Sequence, residues 1–149
     1  MTINFYYMMG SPPCSTVTMT IAALGIESEI KYHSVDCMAD EHLKPEYIKM
    51  NPQHTVPTIE DDGFVLCESR AISRYLVNKY GKGSALYPED VQARAVIDQR
   101  LDFDLGTLYS RFMEYYVSMS CNNLICLSVL AESDRIKFRY IQTFRYAGQ

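Results

Sequence analysis

Ser11-Pro12-Pro13-Cys14 follows an apolar run and opens a helical pattern. It has the spacing of a redox C-x-x-C pair with serine in the attacking position. The exchange removes a nucleophilic thiol but leaves a hydroxyl at a helix N-terminus, where backbone N–H groups and the helix dipole favour negative charge. A hydroxyl so placed can donate a hydrogen bond to a bound thiolate. Serine is also a leading N-cap residue, so on this motif alone a plain cap and a thiolate-binding hydroxyl stand even.

Asn51-Pro52-Gln53-His54-Thr55-Val56-Pro57-Thr58 is the second stretch with chemical content. Proline is allowed at the start of a strand, and Val56-Pro57 is a candidate cis bond. A cis bond there turns the N–H and C=O of the preceding residue outward, ready to pair with an extended peptide. Taken singly, His54, His42 and His33 read as surface or structurally satisfied histidines. The third stretch is Glu68-Ser69-Arg70 at a helix start. Glu68 and Ser69 fit a cap and a dipole-favoured acid, or a carboxylate and helix N-terminus that hold the α-amino and α-carboxylate of an amino-acid-like group. Arg70 is misplaced for helix stability, because the first turn favours anions, and this tilts the reading toward function.

The elements that must position these residues follow from periodicity. Ile3 to Tyr7 is a strand, and a helix runs from Pro13 or Cys14 to Leu24, stopped by Gly25. Ser28 to Val35 reads as a second strand and Glu41 to Met50 as a short helix. Val56 to Ile59 and Phe64 to Leu66, joined by Glu60-Asp61-Asp62-Gly63, form a hairpin signature. Glu68 to Tyr80 places Ala71, Ile72, Tyr75, Leu76 and Tyr80 on one helical face, with Gly81 as its stop. The order β-α-β-α-β-β-α suits a small α/β domain with a mixed sheet, because the last two strands are joined too tightly to be parallel. Gly81 to Asp90 reads as a linker. Beyond it Ala93 to Tyr116 is helical, with Ile97, Leu101, Leu105, Leu108, Phe112 and Tyr116 at spacings of three and four. From Val117 the pattern changes. Ser118 to Asn123 breaks the helix, Leu124 to Leu130 is apolar, and Arg135 to Tyr146 mixes basic and aromatic residues in what reads as a surface tail.

Composition excludes several classes. The 149 residues suffice for one packed domain, or for one domain and part of another. Fourteen basic against eighteen acidic side chains leave a net charge of −4, the wrong sign for a nucleic-acid footprint. The run Phe5 to Met9 lacks preceding cations and is too short for a signal peptide, and Leu124 to Leu130 is too short to cross a bilayer. Cys14, Cys37, Cys67, Cys121 and Cys126 lack zinc-ligand and disulfide-framework spacing, so reduced thiols in a cytoplasmic protein, and no metal, are expected.

The stretches INFYYMMGSPPC, EHLKPEYIKMNPQHTVPTIEDDGF, ESRAISRYLVNKYG and RAVIDQRLDFDLGTLY closely resemble cytosolic glutathione transferases of the insect delta class. The resemblance runs from about Ile3 to about Tyr116. It implies an α/β, thioredoxin-like glutathione-binding domain over residues 1–81, a linker over 82–90 and an all-α domain from 91 that is incomplete, with an atypical tail from about 117. It further implies a homodimer, no cofactor beyond glutathione as co-substrate, and conjugation of glutathione to small hydrophobic electrophiles in detoxification. By position, Ser11 matches the serine that holds the thiolate. His42 and His54 match the glycine end of the tripeptide. Val56, before Pro57, matches the residue whose backbone pairs with the cysteinyl unit. Glu68 and Ser69 match the γ-glutamyl end, with Arg70 beside them. Tyr109, Phe112, Tyr115 and Tyr116 match, more loosely, the pocket for hydrophobic second substrates.

Four departures accompany the resemblance. Cys67 stands where the family usually has Trp, and Asp102 where it has an aromatic. Two extra residues near Cys37 to Asp40 disturb the loop before His42. Beyond Tyr116 the chain matches none of the family's remaining helices. Two further readings therefore stand beside the transferase: a binding module that holds glutathione or a partner but barely turns over, and a glutaredoxin-like thiol exchanger using Cys14. The second is weakened by the serine in the attacking position.

Overall fold

The computed structural model describes the backbone of residues 2–120 and side chains as far as Tyr115. Its centre is a four-stranded mixed sheet in the order β2-β1-β3-β4. These strands are β1 (Ile3–Tyr7), β2 (Ile30–Ser34), β3 (Thr58–Asp61) and β4 (Phe64–Cys67). β1 pairs with β2 in parallel and with β3 antiparallel, and β3 pairs with β4 antiparallel. The helices α1 (Pro12–Leu24), α2 (Pro45–Met50) and α3 (Ser69–Tyr80) complete the thioredoxin-like β-α-β-α-β-β-α order.

Alternation along β1 decides which face is the core. Ile3 and Phe5 are fully buried with Ile59 of β3, Val17 and Ile21 of α1, and Ile72 and Leu76 of α3. Each such side chain contributes about 1.5–3 kcal/mol relative to exposure. The opposite face carries Tyr6 and its partner Thr58, and Tyr47 of α2 covers it. The Tyr47 ring meets Tyr6 edge-on at 6.1 Å, and its hydroxyl lies 3.2 Å from Thr58 Oγ1.

Several boundaries move for local reasons. Proline is tolerated in a first helical turn, so α1 begins at Pro12, with Ser11 as its cap. The second strand is shorter than Ser28 to Val35, because Glu27–Glu29 forms a 3-10 turn. The helix expected over Glu41 to Met50 is two pieces: a 3-10 turn over Glu41–Leu43, then α2 beginning at Pro45. Lys44 lies between them in extended conformation, as the residue before a proline is pushed to do. The hairpin turn is only Asp62-Gly63, both at positive φ (52° and 80°), which is the two-residue primed turn that matches strand twist. α3 buries Ser73 and Val77 besides Ile72 and Leu76, while Ala71, Tyr75 and Tyr80 are half-buried at the margin.

The chain divides into two compact units, one ending at Ala95 and one beginning at Val96. Asp90 caps α4 (Val91–Phe103) by accepting from Ala93 N at 2.8 Å, and Arg94 ties back to the linker through Pro88 O at 2.8 Å and the Tyr87 ring at 4.6 Å. A π-helical turn over Asp104–Leu108 follows, then α5 (Tyr109–Ser120), so helix continues through Ser118-Met119-Ser120 where a break was expected. The π turn adds a residue to one turn of helix and rotates everything after it. The three-and-four spacing from Ile97 to Phe112 does not make a single covered face: Ile97 and Leu101 are half-buried, while Leu105, Leu108 and Phe112 are exposed. Among the described residues no helix is long and apolar enough to cross a membrane. Cys121, Cys126, Leu124 to Leu130 and Arg135 to Tyr146 lie outside the described residues.

Candidate functional site

Strand direction brings the expected site residues of the first unit to one edge of the sheet. β1 and β2 are parallel and both finish there, with Val35 N donating to Tyr7 O at 2.8 Å just past them. β3 begins there, immediately after Pro57. β4 finishes there, since its last residue, Cys67, is paired with Thr58. Ser11 follows the end of β1, His42 follows β2, His54 to Pro57 precede β3, and Glu68-Ser69-Arg70 follow β4.

Ser11 is buried and caps α1, its Oγ accepting from Cys14 N at 3.5 Å. That bond uses an oxygen lone pair and leaves the O–H free to donate, so cap and thiolate donor are compatible roles for one hydroxyl. Cys14 itself is buried against the core, in a poor position for a thiol exchanger. Cys14, Cys37 and Cys67 are free thiols. Burial pushes Cys67 up, and the adjacent Glu68 charge adds to it. Cys37 is likewise raised by burial, then by Cys14, Asp36 and Glu41.

His42 and His54 face each other with ring centroids 6.0 Å apart. His42 Nδ1 is buried and, among the described residues, has no hydrogen-bond partner. An orphaned polar atom of this kind costs about 1–3 kcal/mol, which a ligand group can recover. The loop before His42 is closed by its own hydrogen bonds. Asp36 Oδ1 accepts from Met38 N and Ala39 N at 2.9 and 3.1 Å, and Glu41 Oε2 accepts from Asp36 N at 2.8 Å. His33 is a structural histidine as expected: it stacks on Tyr6 at 4.7 Å, and its Nε2 lies 2.9 Å from Asn4 Oδ1.

The segment carrying His54, Val56 and Pro57 is held by residues that sequence reasoning passed over. Asn51, almost fully buried, donates through Nδ2 to Thr55 O and Thr58 Oγ1 at 3.0 Å each and accepts from Gln53 N at 3.0 Å. Tyr47 donates to Thr55 O at 2.7 Å, and burial pushes its hydroxyl up to about 12. Asn before Pro at a helix end is a turn signal that could have flagged Asn51; nothing local to Tyr47 marks it. His54 sits at φ 46°, and the Val56-Pro57 bond is cis.

Glu68 stands at φ 72°, a region that L-residues rarely adopt, and its side chain does not cap α3. Strained backbone persists where its surroundings over-determine it, commonly at ligand clamps. Ser69 is buried, and its Oγ accepts from Arg70 Nη1 at 2.9 Å, so the misplaced cation of the first turn is folded back onto its neighbour. In the second unit Tyr109 and Phe112 have ring centroids 6.5 Å apart and Tyr115 is exposed, while the Tyr116 side chain lies outside those described. A separate cavity of about 300 Å³ opens beneath α2, lined by Tyr6, His33, Glu41, Lys44 and Tyr47 among others, and none of the expected site residues lines it.

Residues 5–84 match the family model described as glutathione S-transferase, N-terminal domain. Glutathione S-transferase D7 of Anopheles gambiae is 50% identical over 116 residues, covering 78% of this chain and 52% of that protein. A glutathione transferase of Bombyx mori, solved in complex with GTT, superposes with a TM-score of 0.75 at 52% identity, covering 78% of this chain and 53% of that one. A delta-class glutathione transferase of Nilaparvata lugens gives a TM-score of 0.75 at 48% identity, covering 81% and 56%. The chain thus spans about half the length of these relatives.

Proposed function

We propose that this chain, which belongs to the glutathione S-transferase family, binds glutathione at the sheet edge of its first unit and activates the thiol for conjugation to small hydrophobic electrophiles. The observation that carries the reading is the convergence of Ser11, the two histidines, Val56-Pro57 and the strained Glu68 on the edge where β1, β2 and β4 end and β3 begins.

Each group then has a task. The Ser11 O–H, beside the N-terminus of α1, donates to the thiolate. His42, with its orphaned Nδ1, and His54 receive the glycine carboxylate. The backbone of Val56 pairs with the cysteinyl unit. Glu68, released from capping, takes the α-ammonium of the γ-glutamyl group, while Ser69 and the first N–H groups of α3 take its carboxylate, with Arg70 bracing Ser69. Residues 1–81 are thus the glutathione-binding domain, 82–90 the linker, and 91 onward a helical domain whose Tyr109, Phe112, Tyr115 and Tyr116 contribute to the electrophile pocket.

The chemical requirement is modest. A free thiol of pKa about 8.5 is only a few per cent ionised at neutral pH. Lowering it by about two units makes thiolate dominant and needs about 2.7 kcal/mol of differential stabilisation. A charge-assisted hydrogen bond at a helix N-terminus is of that order. The test is a titration of the bound thiol by ultraviolet absorbance, in parent and Ser11→Ala, alongside conjugation of a generic aromatic halide. Ser11→Ala should raise the thiol pKa by one to two units, a range taken from the same balance. An unchanged value removes Ser11 from the mechanism. Detoxification in the cytoplasm and a homodimer complete the reading. The exposed Leu105, Leu108 and Phe112 support association, since clustered apolar surface favours it.

A further inference from the structure

A carboxylate bonded to three side chains lies away from the sheet edge that carries the site. Asp61, the last residue of β3, is 2% exposed. Its carboxylate accepts from Tyr75 Oη at 2.7 Å, Lys79 Nζ at 2.8 Å and Tyr80 Oη at 2.8 Å. The three donors belong to α3, and two of them are bound to each other, Lys79 donating to Tyr75 Oη at 3.1 Å. The Lys79 ammonium also lies over both tyrosine rings, 5.6 and 5.3 Å from their centroids. A carboxylate beside the i, i+4 and i+5 positions of one helix fixes that helix in rotation and in axial position at once.

Both bonded elements run from this node to the glutathione edge. β3 starts directly after Pro57, and α3 starts at Ser69 directly after Glu68. The hairpin fixes only where the chain enters α3, because Cys67 pairs with Thr58 and Glu68 then turns at φ 72°. How α3 is rotated when it presents its first N–H groups is left to contacts farther along. Ile72 and Leu76 pack α3 on the core and Thr20 Oγ1 donates to Ser73 Oγ at 3.0 Å, while the directional bonds to Asp61 fix the far half of the helix to β3.

We propose that Asp61 is a positioning residue for the γ-glutamyl subsite, holding α3 to β3 so that Glu68 and Ser69 stand at a fixed place relative to Val56. The proposal rests on the assignment of Glu68 and Ser69 made above. It separates two parts of the ligand: loosening α3 should harm recognition of the γ-glutamyl group but not the thiolate, which is held at α1.

The experiment measures dissociation constants for glutathione and for cysteinylglycine, which lacks the γ-glutamyl group, in the parent, Asp61→Asn, Tyr75→Phe and Glu68→Ala. Thermal midpoints and bound-thiol pKa are recorded for each. Asp61→Asn should weaken glutathione about tenfold and cysteinylglycine less than twofold, with the thiol pKa unchanged; Tyr75→Phe should follow the same pattern at about threefold. A fall in thermal midpoint with both ligands weakened equally, or with neither weakened, overturns the proposal and leaves Asp61 a purely structural group. If Asp61→Asn fails to fold, Tyr75→Phe decides by the same criterion. If Glu68→Ala binds glutathione as tightly as the parent, the subsite assignment falls and the proposal with it. Weakening by Glu68→Ala but not by Asp61→Asn or Tyr75→Phe overturns the clamp alone.

Discussion

At the scale of single residues, the groups that touch the proposed ligand differ in kind from those that hold them. Ser11, Glu68 and Ser69 have capacity left over: a hydroxyl hydrogen, a carboxylate that caps nothing, a buried oxygen with one donor. Asn51 instead spends its amide inside the fold, on Thr55, Thr58 and Gln53. Asn51→Ala should therefore cost about 2–3 kcal/mol in urea unfolding, since it leaves buried acceptors bare. It should also weaken glutathione by loosening His54 and Val56; wild-type affinity would detach the loop from the site. Changing Glu68 or Ser69 to Ala should weaken glutathione with little loss of stability, as an equilibrium titration beside a melting curve will show.

Two titrations belong to the same scale. The Tyr47 hydroxyl is pushed up to about 12 from 10.0, mainly by burial, so the fold favours its neutral form. That contribution is complete below about pH 10 and disappears as pH rises toward 12. Tyr47→Phe should flatten this part of the alkaline stability profile. Burial alone would raise the Asp61 carboxyl, but hydrogen bonds from Lys79, Tyr75 and Tyr80 outweigh it and hold the group below 3.8. Its contribution is present above that value and lost as pH falls through the depressed one, so Asp61→Asn should remove part of the acid limb seen in the parent.

Among elements, α1 and α3 share the core on one sheet face, meet through Thr20 and Ser73, and meet again where both end, at Leu24 and Gly81. Gly81 caps α3 at φ −102°, so a left-handed stop is not the reason for glycine there. A Cβ on Gly81 would lie 2.9 Å from Val77 O and closer still to the Leu24 side chain. Gly81→Ala should accordingly destabilise by about 1–3 kcal/mol through overpacking. Chemical denaturation measures this, and a neutral effect would mean that Leu24 swings clear. In the proposed reading the two helices share one duty, each offering its N-terminus to an anion: α1 to the thiolate, α3 to an amino-acid carboxylate.

For the whole molecule, the first unit contains every residue assigned to glutathione and has its own apolar core, while the helical unit leaves Val96, Phe103, Leu105, Leu108 and Phe112 exposed. Surface of that kind is normally covered by association. Light scattering at micromolar concentration should give twice the 17.1 kDa of the chain. A monomer that binds glutathione normally would overturn the homodimer and leave the site intact.

The fold order, the hairpin, the resemblance and the polar stretches were legible in the sequence because each depends on residues close together in the chain. Periodicity reports a face, proline and glycine report a boundary, and a motif reports its own spacing. Tertiary structure decided what depends on distant partners. Strand direction put four separate stretches on one edge. Asp61 draws no notice at the end of a hairpin strand until Tyr75, Lys79 and Tyr80 close on it from fourteen to nineteen residues away. Asn51 and Tyr47 became important only when Thr58 came within reach of both, and the π turn at Asp104–Leu108 interrupts a helix that local spacing alone had drawn as continuous. Hydrogen bonds and burial are properties of neighbours in space, and a linear pattern records such neighbours only where they are also neighbours in the chain.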